Sequence, residues 1–504
     1  MNFTLNHLVT GVCAVLSAGA LVAQQSSSGS GAQAAQLSLS GRAGQSGSVT
    51  AQQSPVPGAT QSVNTLNATV SVQGPFGQSM LSDKPLQGKL SLRDALQRGL
   101  EYNLGAVGLN NSASQAHAQV RLARSPLMPN FSGALREVVQ QNNLAAQGLR
   151  VPFIPSVVGP YNYFDLRATL NQTVADLTAL NNYRSSQENF RAAQMAAKDA
   201  RDLVGLAVGG AYLLVISAQA RVDSAKVQLE TAKALYEQVR QRREAGLNAQ
   251  IDANRSLVQF QTQQQRLTTT QNDLAKQKIN LCRIIGLSPD PALQLADNIT
   301  YSPAPVLTYD EALKTALDNR ADLKSAEAAA RAAERVVGAA KAERLPSLAV
   351  SADYGAIGVN PSQSHGTFNL TGSLRIPIWQ GGKTEGDIEL AQATLAQRRA
   401  ELSEIRGRIQ SDLKDAYLDL ESAASQLQLA ESNQKVSRQN LDLTRQRLEA
   451  GIADSVEVTQ AQETTATADL DYITSLLSHN LAKLSVARAL GNVETRITTY
   501  LAIP

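Results

Sequence analysis

The chain contains 504 residues with a formal net charge of +3, and only 4% of the residues are aromatic. Charges of both signs in near balance, without a basic stripe, argue against a nucleic-acid-binding protein. The scarcity of aromatic side chains argues against several globular domains with thick cores, and it favours long helices that meet along narrow seams.

The N-terminal residues predict an export signal. Residues 8–22 form a mostly apolar run that is too short for a comfortable membrane span, and residues 18–20 supply a cleavage site of small residues. We therefore expect residues 1–23 to be a signal peptide. Cleavage would leave Cys282 as the only cysteine, a small buried hydrophobe without a disulfide partner. No later stretch reaches about eighteen apolar residues, which predicts that no helix spans a membrane.

The rest of the chain divides into an extension and a repeated unit. Residues 24–85 are rich in Gln, Ser, Gly and Ala with almost no charge, which predicts a flexible low-complexity extension. The remainder reads as one unit written twice, 86–298 and 299–504, because the triplet Ala-Tyr-Leu at 211–213 returns 205 positions later at 416–418. In each copy we expect a helix, two strands, a very long helix, a short glycine turn and a long return helix.

Long coiled-coil helices dominate this pattern. The predicted helices span about 91–125, 177–244, 250–286, 308–345, 383–449 and 454–490. Leucines spaced by seven, such as Leu413, Leu420 and Leu427, predict left-handed coiled-coil packing. The longest helices would each measure about 100 Å, so lateral packing must stabilise them. They reverse at Gly246 and Gly451, which is typical of a helix end and makes two hairpins with exposed tips.

Between the helices the hydrophobic period changes to two, which predicts strands. These lie at about 130–139, 163–174, 348–358 and 366–378. In the last strand Phe368, Leu370 and Leu374 alternate with polar residues, so that one face is apolar. Such strands of about 10–12 residues match the length that crosses an outer membrane when tilted. The strands alone leave a soluble hairpin packed on a helix as an alternative.

The number of strands predicts an oligomer. Four strands per chain cannot close a barrel, since the smallest bacterial barrels have about eight. Open strand edges would also be unsatisfied in lipid. Three chains would supply twelve strands and close symmetrically.

These motifs together resemble the TolC-like outer-membrane efflux protein family. The resemblance rests on the segment 90–96 with its copy at 307–313, on the helix-to-strand junction 345–348, on the segment 374–382 and on the two glycine tips. Their order and spacing in duplicate are more specific than any motif alone, and they cover about residues 85–491.

The resemblance implies a fold, a function and a location. The fold is mostly α-helical with transmembrane β-strands, as a homotrimer with a twelve-stranded barrel on a periplasmic α-barrel. The implied function is that of an exit duct in the outer membrane of a Gram-negative (diderm) bacterium, which passively conducts the substrates of a tripartite efflux pump or type I secretion system. The implied partners are a periplasmic adaptor (membrane fusion protein), an inner-membrane transporter and outer-membrane lipid, with no cofactor, metal or nucleic acid.

The resemblance also places a constriction just past the tip glycines. Asp252 stands six residues after Gly246, and Glu457 stands six residues after Gly451. We expect Glu457 and Asp252 to form the constriction, with Asp454 as a third candidate. Carboxylates gathered on a three-fold axis would attract cations. The alternative is that these residues are solvated first-turn acids, favoured by the helix dipole.

The chain departs from the family pattern at two positions near the second tip. Gln460 stands where the family often has a second acidic residue, and Ala453 stands where it often has a basic residue that locks the closed state. One acidic ring is therefore expected rather than two.

Two further sets of residues follow from the same resemblance. Adaptor contacts are expected at the tips, at Gly246, Leu247, Gly451 and Ile452. A strand-to-helix junction is expected at Pro377, Trp379, Gly381 and Gly382, where Trp379 suits a membrane interface.

Other function classes find little in the sequence. It contains no Ser-His-Asp arrangement, Walker loop, dinucleotide fingerprint or HExxH motif, so we expect no enzyme. The competing interpretation is a periplasmic coiled-coil adaptor or structural protein, which would have one helical hairpin flanked by β-rich lipoyl-type halves. A wholly secreted coiled-coil protein is a more distant alternative.

Overall fold

A computed structural model describes most of the chain. The described residues are 48–53, 66–71, 74–82, 88–146, 148, 154–246, 249–298, 301–303 and 307–502. The predicted signal peptide, residues 1–23, lies outside the described residues, and so does Leu247. The chain divides into two compact units, the first with residues up to 107, 200–313 and 412–504, the second with 108–199 and 314–411.

Helices account for most of the described chain. They are α1 (Leu92–Tyr102), α2 (Leu104–Arg124), α3 (Leu177–Glu244), α4 (Gln250–Ile285), α5 (Tyr309–Asn319), α6 (Ala321–Ala342), α7 (Lys383–Glu449), α8 (Ser455–Ala489) and α9 (Val493–Leu501). The strands are β1 (Ser48–Gln53), β2 (Leu66–Ser71), β3 (Asn130–Asn143), β4 (Val157–Ala175), β5 (Ser347–Gly358) and β6 (Ser364–Arg375). The fold is thus mostly helical with a few antiparallel strands, and the very long helices, glycine turns and return helices recur in the predicted order.

The predicted helix 91–125 is two helices, because Asn103 interrupts it. Asn103 has an extended backbone and ends α1, with its N–H donating to the Gly99 carbonyl. Its buried side-chain amide donates to the Phe76 carbonyl at 2.7 Å, and its side-chain oxygen accepts from the Gly105 N–H at 2.9 Å. A buried amide that satisfies backbone groups on both sides fixes the break.

The segment 74–82 belongs to the first unit, although the sequence suggested an extension up to residue 85. Phe76 is buried against Gly105, where an added Cβ would lie 2.2 Å from the ring. The Ser82 N–H donates to the Gly286 carbonyl at 2.9 Å. Further upstream, β1 and β2 pair as an antiparallel ladder. A single aromatic anchor in a polar stretch is a weak sequence signal, which explains why the sequence did not reveal this docking.

The C-terminal helix α9 packs on α3 within the first unit. Gly205 and Gly209 allow close approach, because an added Cβ at Gly209 would lie 2.7 Å from Ile497 Cδ1. Arg201 forms a bidentate pair with Glu494, at 2.8 and 2.6 Å. Two glycines one turn apart thus make a flat site on α3 that α9 occupies.

Helix α3 contains one apolar window that the sequence analysis did not count. By length and composition this window of 18 residues could cross a membrane. However, 72% of the window is buried within the protein, as in the core helix of a soluble unit. Its apolar character is therefore explained by packing.

The second unit contains a four-stranded antiparallel sheet with the order β3-β4-β5-β6. Leu135 lies opposite Leu166, and Tyr354 lies opposite both Ala168 and Phe368. Strands β3 and β4 are longer than predicted, since their ladder continues past a bulge to Asn143. Strand β6 ends at Arg375, three residues earlier than predicted. Within this sheet, β3 and β6 each have one neighbour, so each leaves an open edge.

Helices of the second unit pack through small residues. Val337, Ala340 and Ala391 form an apolar cluster between α6 and α7. The Ser185 hydroxyl donates to the Ala332 carbonyl at 3.0 Å, and the Ser325 hydroxyl donates to the Ala192 carbonyl at 2.9 Å. Small side chains thus bring the helix backbones close. The two serine hydroxyls stabilise the contact between α3 and α6.

Candidate functional site

One face of the four-stranded sheet is apolar and exposed. The register places on it Phe131, Leu135, Val139, Leu166, Tyr354, Phe368, Leu370 and Leu374, each 50–80% exposed. A soluble protein rarely exposes a continuous apolar surface of this size. This face therefore requires apolar surroundings.

The opposite face of the sheet is polar. Arg167 pairs with Asp165 on its own strand at 3.3 Å and with Asp353 on β5. Ser132 and Thr169 lie opposite each other in the register, and their hydroxyl oxygens are 2.6 Å apart. Apolar and polar residues thus alternate along most of the sheet, as in strands that separate lipid from water, with Glu137 on the apolar face and Val138 and Ile357 on the polar face as exceptions.

The second hairpin reverses at Gly451, the only residue of this turn with a positive φ, of 75°. The Arg447 carbonyl accepts hydrogen bonds from the N–H groups of Ile452 at 2.9 Å and Ala453 at 3.2 Å, which satisfies the end of α7. Ile452 is 71% exposed at the tip. The tip is therefore well ordered by its backbone and carries an exposed apolar side chain.

Two of the three predicted constriction residues lie together at this tip. Asp454 is the N-cap of α8, and its side chain accepts from the Glu457 N–H at 2.8 Å. Glu457 in turn forms an ion pair with Arg447, at 2.5 Å between Oε1 and Nη1. The Glu457 carboxylate thus connects the two helices of the hairpin, and Asp454 is committed to capping.

Arg447 was missed by the sequence analysis. The family pattern has a basic residue two positions after the glycine, where Ala453 stands, whereas Arg447 lies four positions before Gly451. The hairpin folds back at the glycine, so the last turn of α7 faces the first turn of α8. A cation in the last turn of the outgoing helix was the available signal.

The first hairpin tip is built differently. Gly246 has a φ of 75°, as in the second tip, but Ala249 occupies the N-cap of α4 and supplies no side-chain hydrogen bond. Asp252 lies 3.9 Å from Arg255 on its own helix. Arg242 Nη1 donates to the Leu448 carbonyl at 3.5 Å, which links this hairpin to the other one.

A small apolar cluster holds the two tips together. Leu235, Val239, Ala253, Leu448 and Val458 are buried against one another, one or two from each of α3, α4, α7 and α8. Ala253 and Val458 directly follow Asp252 and Glu457 in the chain. The fold therefore brings both predicted acidic positions to the same end of the first unit.

The predicted strand-to-helix junction lies in the second unit. Trp379 is 87% exposed, and Pro377 precedes it in the segment between β6 and α7. Gly381 and Gly382 have φ values of 62° and 84°, a conformation that other residues rarely adopt. Two successive glycines thus turn the chain from the strand into the long helix.

A buried polar cluster in the first unit was not anticipated. Lys483 is fully buried on α8 and donates to the carbonyl and hydroxyl of Ser302, the latter at 2.9 Å. Burial lowers the pKa of Lys483 to about 8. His479, one turn away and 5.4 Å from the Tyr301 ring, has its pKa lowered to about 4 by burial and then by Lys483. This cluster fastens the segment between the two halves of the chain.

Among the described residues, no group of three or more His, Cys, Asp or Glu side chains could hold a metal ion. Cys282 is buried on α4, and burial raises the pKa of its thiol.

Comparisons with known proteins agree with a sheet that has one apolar and one polar face. A family model described as "Outer membrane efflux protein" matches residues 111–287 and 312–492. The chain is 26% identical to the outer membrane protein OprJ of Pseudomonas aeruginosa over 395 residues, which are 75% of this chain and 78% of OprJ. It is 24% identical to the probable efflux pump outer membrane protein TtgC of Pseudomonas putida, over 60% of this chain and 62% of TtgC.

Solved structures show the same fold. The outer membrane protein VceC of Vibrio cholerae superposes with a TM-score of 0.70 at 17% identity, over 80% of this chain and 96% of VceC. The CmeC outer membrane channel of Campylobacter jejuni gives a TM-score of 0.69 at 16% identity, over 88% of this chain and 94% of CmeC.

The family match covers well over half of the chain, in two segments. It confirms the predicted outer-membrane location with a large periplasmic part, and the role of an efflux exit channel rather than an enzyme. The competing interpretation as a periplasmic coiled-coil adaptor or structural protein is wrong, because both halves of the chain match the efflux protein family. The chain belongs to the outer membrane efflux protein family.

Proposed function

We propose that three copies of this chain form the exit duct of a tripartite efflux pump or type I secretion system. The open edges of β3 and β6 support this assembly, since edges left unpaired in lipid are costly. If β3 of one copy pairs with β6 of the next, three sheets close a barrel of twelve strands. The apolar face would then contact lipid, and the polar face would line a lumen.

Exposed apolar stripes on the helices also support a second copy as the neighbour. Leu429, Val436 and Leu443 of α7 are exposed and spaced by seven residues. Ile251 and Val258 of α4 are exposed with the same spacing. A second heptad seam, besides the buried one at Leu413 and Leu420, suits packing against further helices of a periplasmic α-barrel.

The proposed constriction is at the hairpin tips. Glu457 is its main carboxylate, and Asp252 occupies the corresponding place in the first hairpin, 205 positions earlier. Asp454 is a weaker candidate, because its side chain caps α8. Arg447 partly neutralises Glu457, so it would set how much negative charge the tip presents to a passing ion.

The remaining predicted residues take roles at the two ends. We assign Gly246, Leu247, Gly451 and Ile452 to contacts with a periplasmic adaptor, since exposed apolar Ile452 suits a protein partner. An inner-membrane transporter would complete the pump, a role consistent with the name of the relative TtgC.

The junction at Pro377, Trp379, Gly381 and Gly382 would lie at the membrane interface, where exposed indole rings are favoured. It would connect the last strand of the barrel to the longest helix of the second half.

We further propose that the two halves descend from one duplicated unit. Arg242 and Arg447, like Ala249 and Asp454, are 205 positions apart and occupy corresponding places in the two tips. The differences between these pairs would then reflect separate adaptation: one tip is capped and paired within itself, and the other is linked across to its neighbour.

The observation that carries the proposal is the Arg447–Glu457 pair at an exposed tip of an efflux-family fold. The test is single-channel recording of the detergent-purified protein in a planar bilayer. We expect small, stable, cation-preferring steps, a lower cation preference in Glu457→Gln, and a higher one in Arg447→Gln. Arg408→Gln is the matched control, because it removes an exposed arginine of α7 that pairs with Glu404 away from the tip.

The possible outcomes separate the parts of the proposal. Steps that neither tip variant alters would contradict the Glu457 constriction and direct attention to Asp252. The absence of steps from folded, trimeric protein would contradict the conduit itself. A monomer by light scattering in mild detergent would overturn the trimer.

A further inference from the structure

The polar face of the sheet carries a fixed group of charges, which we call the charged belt and define as Asp165, Arg167 and Asp353. The Arg167 guanidinium binds Asp165 on β4 and Asp353 on β5, and its Nη2 lies 3.5 Å from the Thr367 hydroxyl on β6. One side chain therefore connects three neighbouring strands.

Gly355 leaves room for this reach. It is the register partner of Arg167 on one side and of Thr367 on the other, so the guanidinium crosses β5 at this residue. An added Cβ at Gly355 would lie 3.1 Å from Arg167 Cβ and 2.5 Å from the Leu166 carbonyl oxygen. A larger residue would thus crowd the base of Arg167 where its side chain begins to cross.

The belt is partly covered by the sheet. Its side chains are 28% exposed for Arg167, 18% for Asp165 and 19% for Asp353, although they lie on a sheet whose other face is open. Mutual pairing holds these charges on the wall of the sheet instead of leaving them mobile in solvent. Fixed charges on a low-dielectric wall focus an electric field into the adjacent space.

Other titratable groups on the same face complete the charge balance. Arg136 lies directly opposite Asp165 on β3, His365 lies opposite Ile357 on β6, and Arg375 ends β6. In formal charge Arg136 and Arg167 balance Asp165 and Asp353, so the middle of the sheet is close to neutral, and Arg167 forms the ion pairs with both carboxylates. Removing any one of them unbalances the belt by one charge per chain.

We propose that the charged belt is a second determinant of ion selectivity, in the lumen of the barrel and separate from the hairpin tips. The inference rests on the proposed trimer, in which three belts would face one lumen. Arg167 pairs with two carboxylates in each belt, and its loss would add one net negative charge per chain to the wall of the lumen. Polar solutes and ions that pass the barrel would meet this charge whatever the state of the tip.

The experiment compares Arg167→Gln, Asp353→Asn and the double variant, all made in the Glu457→Gln background so that this tip carboxylate does not contribute. The measurement is the reversal potential in a tenfold potassium chloride gradient across a planar bilayer, from which the ratio of potassium to chloride permeability follows. We expect Arg167→Gln to raise this ratio by roughly threefold to tenfold and Asp353→Asn to lower it, because each changes the trimer by three charges. In the double variant the permeability ratio should return close to that of the Glu457→Gln parent.

Thr367→Val is the matched uncharged control and should leave the ratio unchanged. Equal ratios in all variants, from channels that still conduct, would overturn the belt and leave the conduit intact. A double variant that differs from the parent as much as Arg167→Gln does would show that structural damage, not charge, is responsible, and would also overturn it. Channels absent already from the parent would instead refute the proposed function.

Discussion

The Tyr212 hydroxyl lies 2.9 Å from the Leu90 carbonyl oxygen, to which it donates within the buried core of the first unit. The same hydroxyl lies 2.9 Å from Asp297 Oδ2, and that carboxylate also accepts from the Leu92 N–H at 2.7 Å. Burial, and then the hydrogen bond to Asp297, raise the pKa of Tyr212 above its ordinary range. The phenol is therefore a neutral donor that ties the start of α1 to α3.

The second half of the chain contains a similar contact. The Tyr417 hydroxyl donates to the Leu307 carbonyl at 3.0 Å, and under the proposed duplication Tyr417 and Leu307 correspond to Tyr212 and Leu90. Tyr417 is only partly buried.

We predict that Tyr212→Phe costs about 1–3 kcal/mol in the free energy of unfolding, because it leaves buried acceptors without their donor. Tyr417→Phe, at the more exposed site, should cost about 0.5–1.5 kcal/mol. The comparison is made by denaturant unfolding of the detergent-solubilised protein. Equal losses at the two sites would contradict the role of burial.

The two hairpin tips make opposite predictions about helix capping. Ala249→Asp introduces a capping side chain at the start of α4 and should stabilise that helix end by about 0.5–1 kcal/mol. Asp454→Ala removes the existing cap of α8 and should destabilise it by about 0.5–2 kcal/mol.

Amide hydrogen exchange of the first turns after residues 249 and 454 measures both effects. Slower exchange in Ala249→Asp and faster exchange in Asp454→Ala are expected, each confined to its own tip. Unchanged exchange in Ala249→Asp would contradict the prediction, because it would mean that an aspartate at this position does not reach the first-turn N–H groups.

Two glycines of α2 should respond oppositely to alanine. Gly105→Ala gains about 1 kcal/mol of helix propensity but places its Cβ 2.2 Å from the Phe76 ring, and such overpacking costs about 1–3 kcal/mol. A net loss of stability is therefore expected. At Gly108 an added Cβ meets no atom within 4 Å, so Gly108→Ala should stabilise the protein.

The melting temperatures of the two variants test this prediction, with a lower value expected for Gly105→Ala and a higher one for Gly108→Ala. Stabilisation by Gly105→Ala would show that Phe76 can move away at little cost, and that segment 74–82 is only loosely held.

The buried His479 predicts a loss of stability in mild acid. Its folded pKa of about 4 lies below the ordinary value of 6.5, so the unfolded chain binds the extra proton first as the pH falls. This contribution is complete above pH 6.5 and is lost as the pH falls toward 4. Between pH 7 and 5 it amounts to on the order of 1–2 kcal/mol.

His479→Phe keeps an aromatic ring beside Tyr301 and removes the titration. The denaturation midpoints of wild type and variant at pH 7 and pH 5 give the comparison. We expect the variant to lose less stability over this interval, and an equal loss in both proteins would contradict the assignment to His479.

Periodicity accounts for what was predictable in the fold and in the site. A seven-residue spacing identified the hairpin helices, and a two-residue spacing identified the strands, because each pattern records which face of one element is buried. The turns at Gly246 and Gly451 were also predictable, since both need a positive φ. The acidic positions Asp252 and Glu457 followed from their distance to these glycines, and their place in a constriction stays a proposal.

The sequence by itself thus determined the long hairpin helices, the four strands of the second unit, their order and the family. It did not reveal β1, β2 or α9, nor the breaks at Asn103 and Arg320 that divide the predicted helices 91–125 and 308–345. Only the tertiary structure decided which residues meet: Arg447 with Glu457 across a turn, Arg167 with Asp353 on neighbouring strands, and the Phe76 ring with Gly105 in the first unit. The physical reason is that periodicity describes one element at a time. Contacts between elements depend on register and on the direction of the chain after each turn, and these are fixed only when the elements pack.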